Sequence, residues 1–381
     1  MSTSKTASPG TIATDTLIIG GGLTGLFLAH RLHHGLGSKG HKVSLVEARE
    51  NLGGRYRRPN LAQPFASPEL DFIPATSEAL ALLEWLRNNS PVPFHFSAFE
   101  HHPQIFNEGK WSPFAGFGET SFQSAGELTA LFSHTKGLSL DPGLEQLVRS
   151  LCEQLPVSAQ TMNEVTGFKV RDGRIAEITV NGDKTWSAQN VIFTGHPSAL
   201  QNLFQGEELP VKHRTRLAKM DAWTSVTLEL QHTPPLADDG AIRFFNHGSK
   251  EFEPVAGRVS GANSKWVTLV PGDRDTDHEF IGQAIRHIKR QLKRAWPLAF
   301  EGAEGAKDMA AERIFVQPKA YGQHSLRTKE PYRFPEISNL YLAGHTLAGV
   351  PGELGALEMV RNLSNDLLGP LNQLPSPNAS C

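Results

Sequence analysis

Thr16-Leu17-Ile18-Ile19-Gly20-Gly21-Gly22-Leu23-Thr24-Gly25 is the stretch that decides the fold. A short apolar run breaks into three glycines, and Leu23, Leu26, Phe27, Ala29 and Leu32 then fall on one face of a helix. After a second glycine-rich turn (Gly35, Gly37, Gly40), the apolar run Val43 to Val46 ends on Glu47. Strand, glycine loop, helix and strand make a βαβ unit. Within it Gly20, Gly22 and Gly25 stand in G-x-G-x-x-G spacing. Gly20 serves the tight turn, Gly22 the approach of backbone to a pyrophosphate, and Gly25 the close packing of helix on strand. The helix start at Leu23 and Thr24 offers unpaired N–H groups and a dipole to the phosphate charge. Glu47, 22 residues beyond Gly25, can accept from both hydroxyls of an adenosine ribose.

Beyond that acid the chain reads Glu47-Ala48-Arg49-Glu50-Asn51-Leu52-Gly53-Gly54-Arg55. A second glycine pair followed by arginine resembles the superfamily of flavin-containing amine oxidases, protoporphyrinogen oxidases and phytoene desaturases. The resemblance implies FAD as cofactor, with Ala48 beside the adenosine-binding acid. Gly53 and Gly54 would let the loop pass close to the cofactor, and Arg55 would lie on the pyrophosphate. A guanidinium beside a dianion makes charge-assisted bonds.

Further segments agree, in the order the family has them. Asp141-Pro142-Gly143-Leu144 sits where the family carries a glycine-led helix, and Glu164-Val165 where backbone meets the adenine. Asn339-Leu340-Tyr341-Leu342-Ala343-Gly344 is similar to the closing strand. Gly352-Glu353-Leu354-Gly355-Ala356 is similar to the helix start whose backbone, at Leu354, faces the flavin pyrimidine end. Such a helix start stabilises negative charge on the reduced ring.

The departures bear on chemistry. His345 follows Gly344 where the family has an acid bonded to the ribitol. On the strand around residues 223–230, Ser225 or Thr224 stands where amine oxidases carry a lysine. Of the two cage tyrosines only Tyr321 has a candidate, with Gly352 or Glu353 near the other position. Glu353 and Tyr321 are thus the candidate catalytic side chains, and the chain reads as a family member but not a typical amine oxidase.

The rest of the sequence bounds the reading. Its 381 residues predict a two-domain α/β protein. The Rossmann-like FAD domain is expected from 13–75, 135–205 and 320–370, and an inserted α+β substrate domain from 76–134 and 206–319. Residues 1–12 and 371–381 read as disordered tails. A net charge of −2 gives no global attraction to nucleic acid, and two cysteines exclude a disulfide framework. Sixteen histidines show no metal-ligand spacing, no run is apolar enough to span a membrane, and no secretory signal opens the chain. The expectation is a cytoplasmic flavoprotein that moves a hydride from a small organic molecule to the flavin, with oxygen or another acceptor downstream. Two other classes share the pattern: a flavin-free binding protein like the GDP-dissociation inhibitors, and an FAD-binding scaffold without redox activity.

Overall fold

Burial on both faces marks the first strand, β1 (Ile12–Ile19), as interior: Thr16, Leu17 and Ile18 are fully enclosed. The computed structural model describes residues 10–56, 70, 73–119, 124–204, 209, 211–219, 222–232, 235–236, 240–246, 253–297, 309–321, 332–334, 336–344 and 352–369. β1 leads through the glycine turn into α1 (Leu23–Leu36) and then β2 (Val43–Val46). β1 lies between β2 and the strand Lys184–Phe193, parallel to both. Ser158–Gln160 extends the sheet beyond β2, and Leu340–Leu342 pairs with the last three residues of Lys184–Phe193, again in parallel. The other end of that strand pairs antiparallel with Arg174–Val180, which pairs in turn with Val165–Arg171. The tight turn between these two carries Asp172 and Gly173 at φ 52° and 68°.

The two faces of this sheet are covered differently. Ile18, Leu45 and Ile192 pack under α1, Leu144–Glu153 and the final helix Gly352–Leu368, through Leu26, Phe27, Leu147, Leu151, Leu357 and Val360. Leu17, Ile19 and Val191 face Phe168, Ile178 and Trp186 of the antiparallel strands and the short helix Leu200–Leu203. This is the expected Rossmann-like layering.

One boundary differs from the expected division. Residues 76–94 were expected in the second unit. Yet Ala79, Leu82, Leu83 and Leu86 of the helix Ser77–Arg87, with Val92 and Phe94, lie in the cluster that holds Phe27 and Leu357. The helix is capped by Thr76, whose Oγ1 accepts from Ala79 N at 3.1 Å.

The second unit is built on one seven-stranded sheet. Its order is Met309–Tyr321, Trp223–His232, Asn263–Pro271, Val255–Ser260, Ile242–Phe245, Gln104–Asn107 and Lys110–Pro113. Only Ile242–Phe245 and Gln104–Asn107 run parallel. Ser124–Phe132 covers one face, where Leu128 and Leu131 meet Trp223, Phe244, Ala256 and Leu269. His278–Ala295 covers the other, through Ile281, Ala284, Ile288 and Leu292. That helix leaves Arg286, Arg290, Lys293 and Arg294 exposed, while His287 is buried. Among the described residues no helix is long and apolar enough to cross a membrane.

Candidate cofactor and active site

The glycine turn is fixed from both neighbouring strands. Gly20 N donates to Val46 O at 2.8 Å, and Thr194, at the end of Lys184–Phe193, donates N and Oγ1 to Ile19 O at 3.0 and 2.9 Å. Gly20 sits at φ 107°, and a Cβ there would lie 2.3 Å from Thr194 Oγ1. A Cβ on Gly25 would lie 2.0 Å from Gly20 O, so α1 rests directly on the turn. Gly22 precedes α1 in extended backbone, with neither a capping side chain nor an acid in the first turn. The first intrahelical bond is Leu26 N to Gly22 O, at 2.9 Å. The N–H groups of Leu23, Thr24 and Gly25 therefore have no intrahelical acceptor, the arrangement that suits a phosphate.

Glu47 closes this turn from the side. Its Oε2 accepts from Gly21 N at 2.7 Å and its Oε1 from Arg49 N at 2.9 Å. Gly53 N donates to Gly21 O at 2.8 Å, bringing the second glycine loop onto the first. Gly53 and Gly54 have φ of 109° and 56°, and a Cβ on Gly54 would stand 2.9 Å from Gly22 Cα. No side chain fits between the loops. Arg55 follows half-buried, its guanidinium 5.6 Å from the Tyr56 ring centre. Gly20, Gly22, Leu23, Thr24, Gly25, Glu47, Ala48, Gly53, Gly54 and Arg55 thus form one continuous cradle.

The Val165 region reaches the same place by its backbone. Glu47 N donates to Gln160 O, and Asn163 N to Glu47 O, both at 2.9 Å. Val165 itself turns its side chain into the core beside Phe168 and starts the next strand. Three contributors escape the sequence reading. Gly21 faces Leu52, whose Cδ2 would be 2.5 Å from an added Cβ, and Thr194 anchors the turn. A hydroxyl at the end of an apolar strand run was the available signal for Thr194.

The other end of the candidate site is where the two units meet. Ala343 N donates to Phe193 O at 2.8 Å, and Gly344 follows buried. His345 lies outside the described residues. The final helix begins at Gly352, φ 66°, where a Cβ would stand 3.1 Å from Leu131 Cδ2 of the second unit. Leu354 is buried in the core with α1. Glu353 is the second residue of that helix and Tyr321 the last of its strand, paired with Trp223. The side chains of both lie outside what the structure describes.

The alternation of Trp223–His232 separates the two candidates for the lysine position. Val226 packs on Ile281 and Ala284, so Thr224 faces the helix His278–Ala295. Ser225 shares the opposite face with Trp223, which packs towards Ser124–Phe132. Ser225 therefore lies on the face covered by Ser124–Phe132, and it is buried. Titratable groups in this unit carry the marks of burial. His101 and His232 are both pushed down to about 4 by desolvation, His101 also by Arg258, His102 and His134. Burial raises the Glu253 carboxyl, partly offset by a hydrogen bond from Ser124. Among the described residues no group of three or more His, Cys, Asp or Glu could hold a metal ion.

A family model for an NAD(P)-binding Rossmann-like domain matches residues 18–72, and one for flavin-containing amine oxidoreductases matches residues 93–348. The chain belongs to the flavin-containing amine oxidoreductase family. It is therefore a flavin-type oxidoreductase, and the resemblance read from its glycine motifs holds across both units. Solved structures agree on the fold. An oxidoreductase from Methanosarcina mazei has a TM-score of 0.60 at 13% identity, over 92% of this chain and 99% of that one. A protein provisionally assigned as protoporphyrinogen oxidase, from Exiguobacterium sp. 255-15, has a TM-score of 0.65 at 14%, over 94% and 99%. Putrescine oxidase bound to putrescine has a TM-score of 0.56 at 15%, again over 94% and 99%. No curated protein sequence matches the chain.

Proposed function

We propose that the flavin is FAD and that the protein takes a hydride from a small organic substrate, passing the electrons to oxygen or another acceptor. The observation that carries this reading is Glu47, held between the N–H groups of Gly21 and Arg49 where the two glycine loops touch. An acid there retains lone pairs for the ribose hydroxyls of an adenosine, which FMN lacks. The cradle fits the group: the loops approach too closely for any Cβ, and the first N–H groups of α1 lack intrahelical acceptors.

In this reading the N–H groups of Leu23 and Thr24 and the Arg55 guanidinium hold the pyrophosphate. Backbone around Glu47 and Val165 borders the adenosine. Gly344, His345 and the start of the final helix at Leu354 approach the ribitol and ring. When bound, the isoalloxazine supplies a hydride acceptor. Glu353 and Tyr321 are the side chains proposed to meet substrate, Glu353 by anchoring a polar group or accepting a proton.

The purified protein should be yellow, and denaturation should release FAD rather than FMN. Colourless protein that takes up no added FAD would overturn the proposal. It would favour the flavin-free binding module, a reading that leaves Glu47 and Arg55 without a task. Reduction by dithionite followed by reoxidation in air separates an active flavoprotein from a redox-silent scaffold.

A further inference from the structure

Between the strands Ser158–Gln160 and Val165–Arg171 the chain passes through Met162, which is 63% exposed and has a φ of 55°. It joins neither core cluster of its unit. Left-handed backbone suits glycine, asparagine and aspartate, and a long apolar side chain there is strained.

The conformation is imposed by the bonds around it. Met162 N donates to Arg49 O at 3.0 Å, and Asn163 N to Glu47 O at 2.9 Å. Asn181 holds the other side: its Nδ2 donates to Met162 O at 2.9 Å, and its Oδ1 accepts from Glu164 N at 2.8 Å. The backbone from Met162 to Glu164 is thereby fixed against the loop that follows β2, with Met162 opposite Arg49, two residues beyond Glu47. Asparagine or glycine would serve this backbone better, and an apolar side chain left in water adds nothing to folding.

We infer that Met162 is a cofactor-binding residue whose thioether lies on the adenine of the dinucleotide. This rests on the reading of Glu47 as the acid at the adenosine ribose. A base joined to that ribose leaves the sugar beside residues 48–50 and 162–165. Along this border Ala48 carries one methyl, Arg49 and Glu50 are charged, and Val165 is turned into the core. The exposed apolar side chain that remains is Met162. A thioether is favourable against an aromatic ring at about 5 Å. A residue that only completed the turn would be indifferent to the cofactor, so the two roles differ in what covers the sulfur.

The experiment exposes the full-length protein, flavin-stripped and FAD-loaded, to dilute hydrogen peroxide and reads methionine sulfoxide at each position by peptide mass spectrometry. Met359, 1% exposed in the core, reports that the fold stays intact. Met162 should oxidise roughly tenfold or more slowly with FAD bound, more slowly also with ADP, and at an unchanged rate with FMN. Met162→Asn keeps the backbone and should lower FAD affinity roughly three- to tenfold without lowering the melting temperature of the flavin-free protein. Met162→Leu should restore part of that affinity. Equal oxidation with and without bound FAD would overturn the inference and leave the flavin reading intact. So would a Met162→Asn protein that binds FAD as tightly as the parent, or one whose loss of affinity follows a lower melting temperature. Should the protein take up no FAD, the flavin reading fails, and protection by ADP then decides the role of Met162.

Discussion

Replacing Gly25 by alanine tests the cradle at its tightest point. In an ordinary helix this exchange stabilises by about 1 kcal/mol, because glycine loses more backbone entropy on folding. Here the new methyl would lie 2.0 Å from Gly20 O and 3.1 Å from its carbonyl carbon. The turn cannot withdraw, since Gly20 N is bound to Val46 O and Thr194 holds Ile19 O. The N-terminus of α1 must therefore lift by about 1 Å to restore contact distance, at an overpacking cost of about 1–3 kcal/mol. The propensity gain offsets the lower part of that range, which leaves a net loss of up to about 2 kcal/mol. Flavin affinity should fall further, by roughly tenfold or more, because the N–H groups of Leu23 and Thr24 move with the helix. Denaturant midpoints measure the first effect and fluorescence-monitored flavin titration the second. Gly37→Ala is the control: its φ is −60° and its nearest neighbour, His33 Nδ1, would be at 3.5 Å, an ordinary contact. A Gly25→Ala protein as stable and as well loaded as Gly37→Ala would refute the argument.

Glu47→Gln removes the charge while keeping the shape, and should weaken FAD by about 1.5–3 kcal/mol, some ten- to a hundredfold, with FMN unaffected; equal losses for both in fluorescence titrations would place Glu47 away from the ribose. His101 and His232 are held neutral by burial with values of about 4, against roughly 6.5 in an unfolded chain. Between these values the unfolded chain binds protons that the folded one refuses, so stability should fall as pH drops from 6.5 towards 4 and level off below. The loss is on the order of 3 kcal/mol per histidine, and His232→Gln should flatten part of that slope in denaturation curves across pH 4–7. Glu353→Gln should slow flavin reduction by the true substrate roughly a hundredfold if the carboxylate meets substrate; stopped-flow rates equal to the parent would make it a helix-end residue worth no more than about 1 kcal/mol.

The first unit was legible because its signals are local. Glycines that cannot bear a Cβ, an acid at a strand end and a closing helix at 352–368 each occupy a few adjacent residues, and all stand where the pattern puts them. The sheet of the second unit was not. The strand around residues 223–230 was readable, but the sheet it joins draws its other strands from residues 104–113, 242–271 and 309–321, a pairing no local pattern shows. Ser77–Arg87 shows a different limit: which core its apolar stripe joins depends on long-range packing and not on the local pattern. Which face of the sheet Thr224 and Ser225 each occupy needed the sheet itself, because a shift of one residue exchanges the two faces.

The strand Lys184–Phe193 is completed by a partner that arrives about 150 residues later. Val191, Ile192 and Phe193 are almost fully enclosed, and Leu340–Leu342 supplies their outer edge. Until that segment leaves the ribosome, a growing chain presents an apolar strand edge with nothing to pair against, the kind of surface that recruits other chains. The inserted second unit lengthens this exposure, since all of it must be synthesised first. Chains that stop before residue 340 are therefore expected to aggregate, and slower translation through residues 206–319 would prolong the danger.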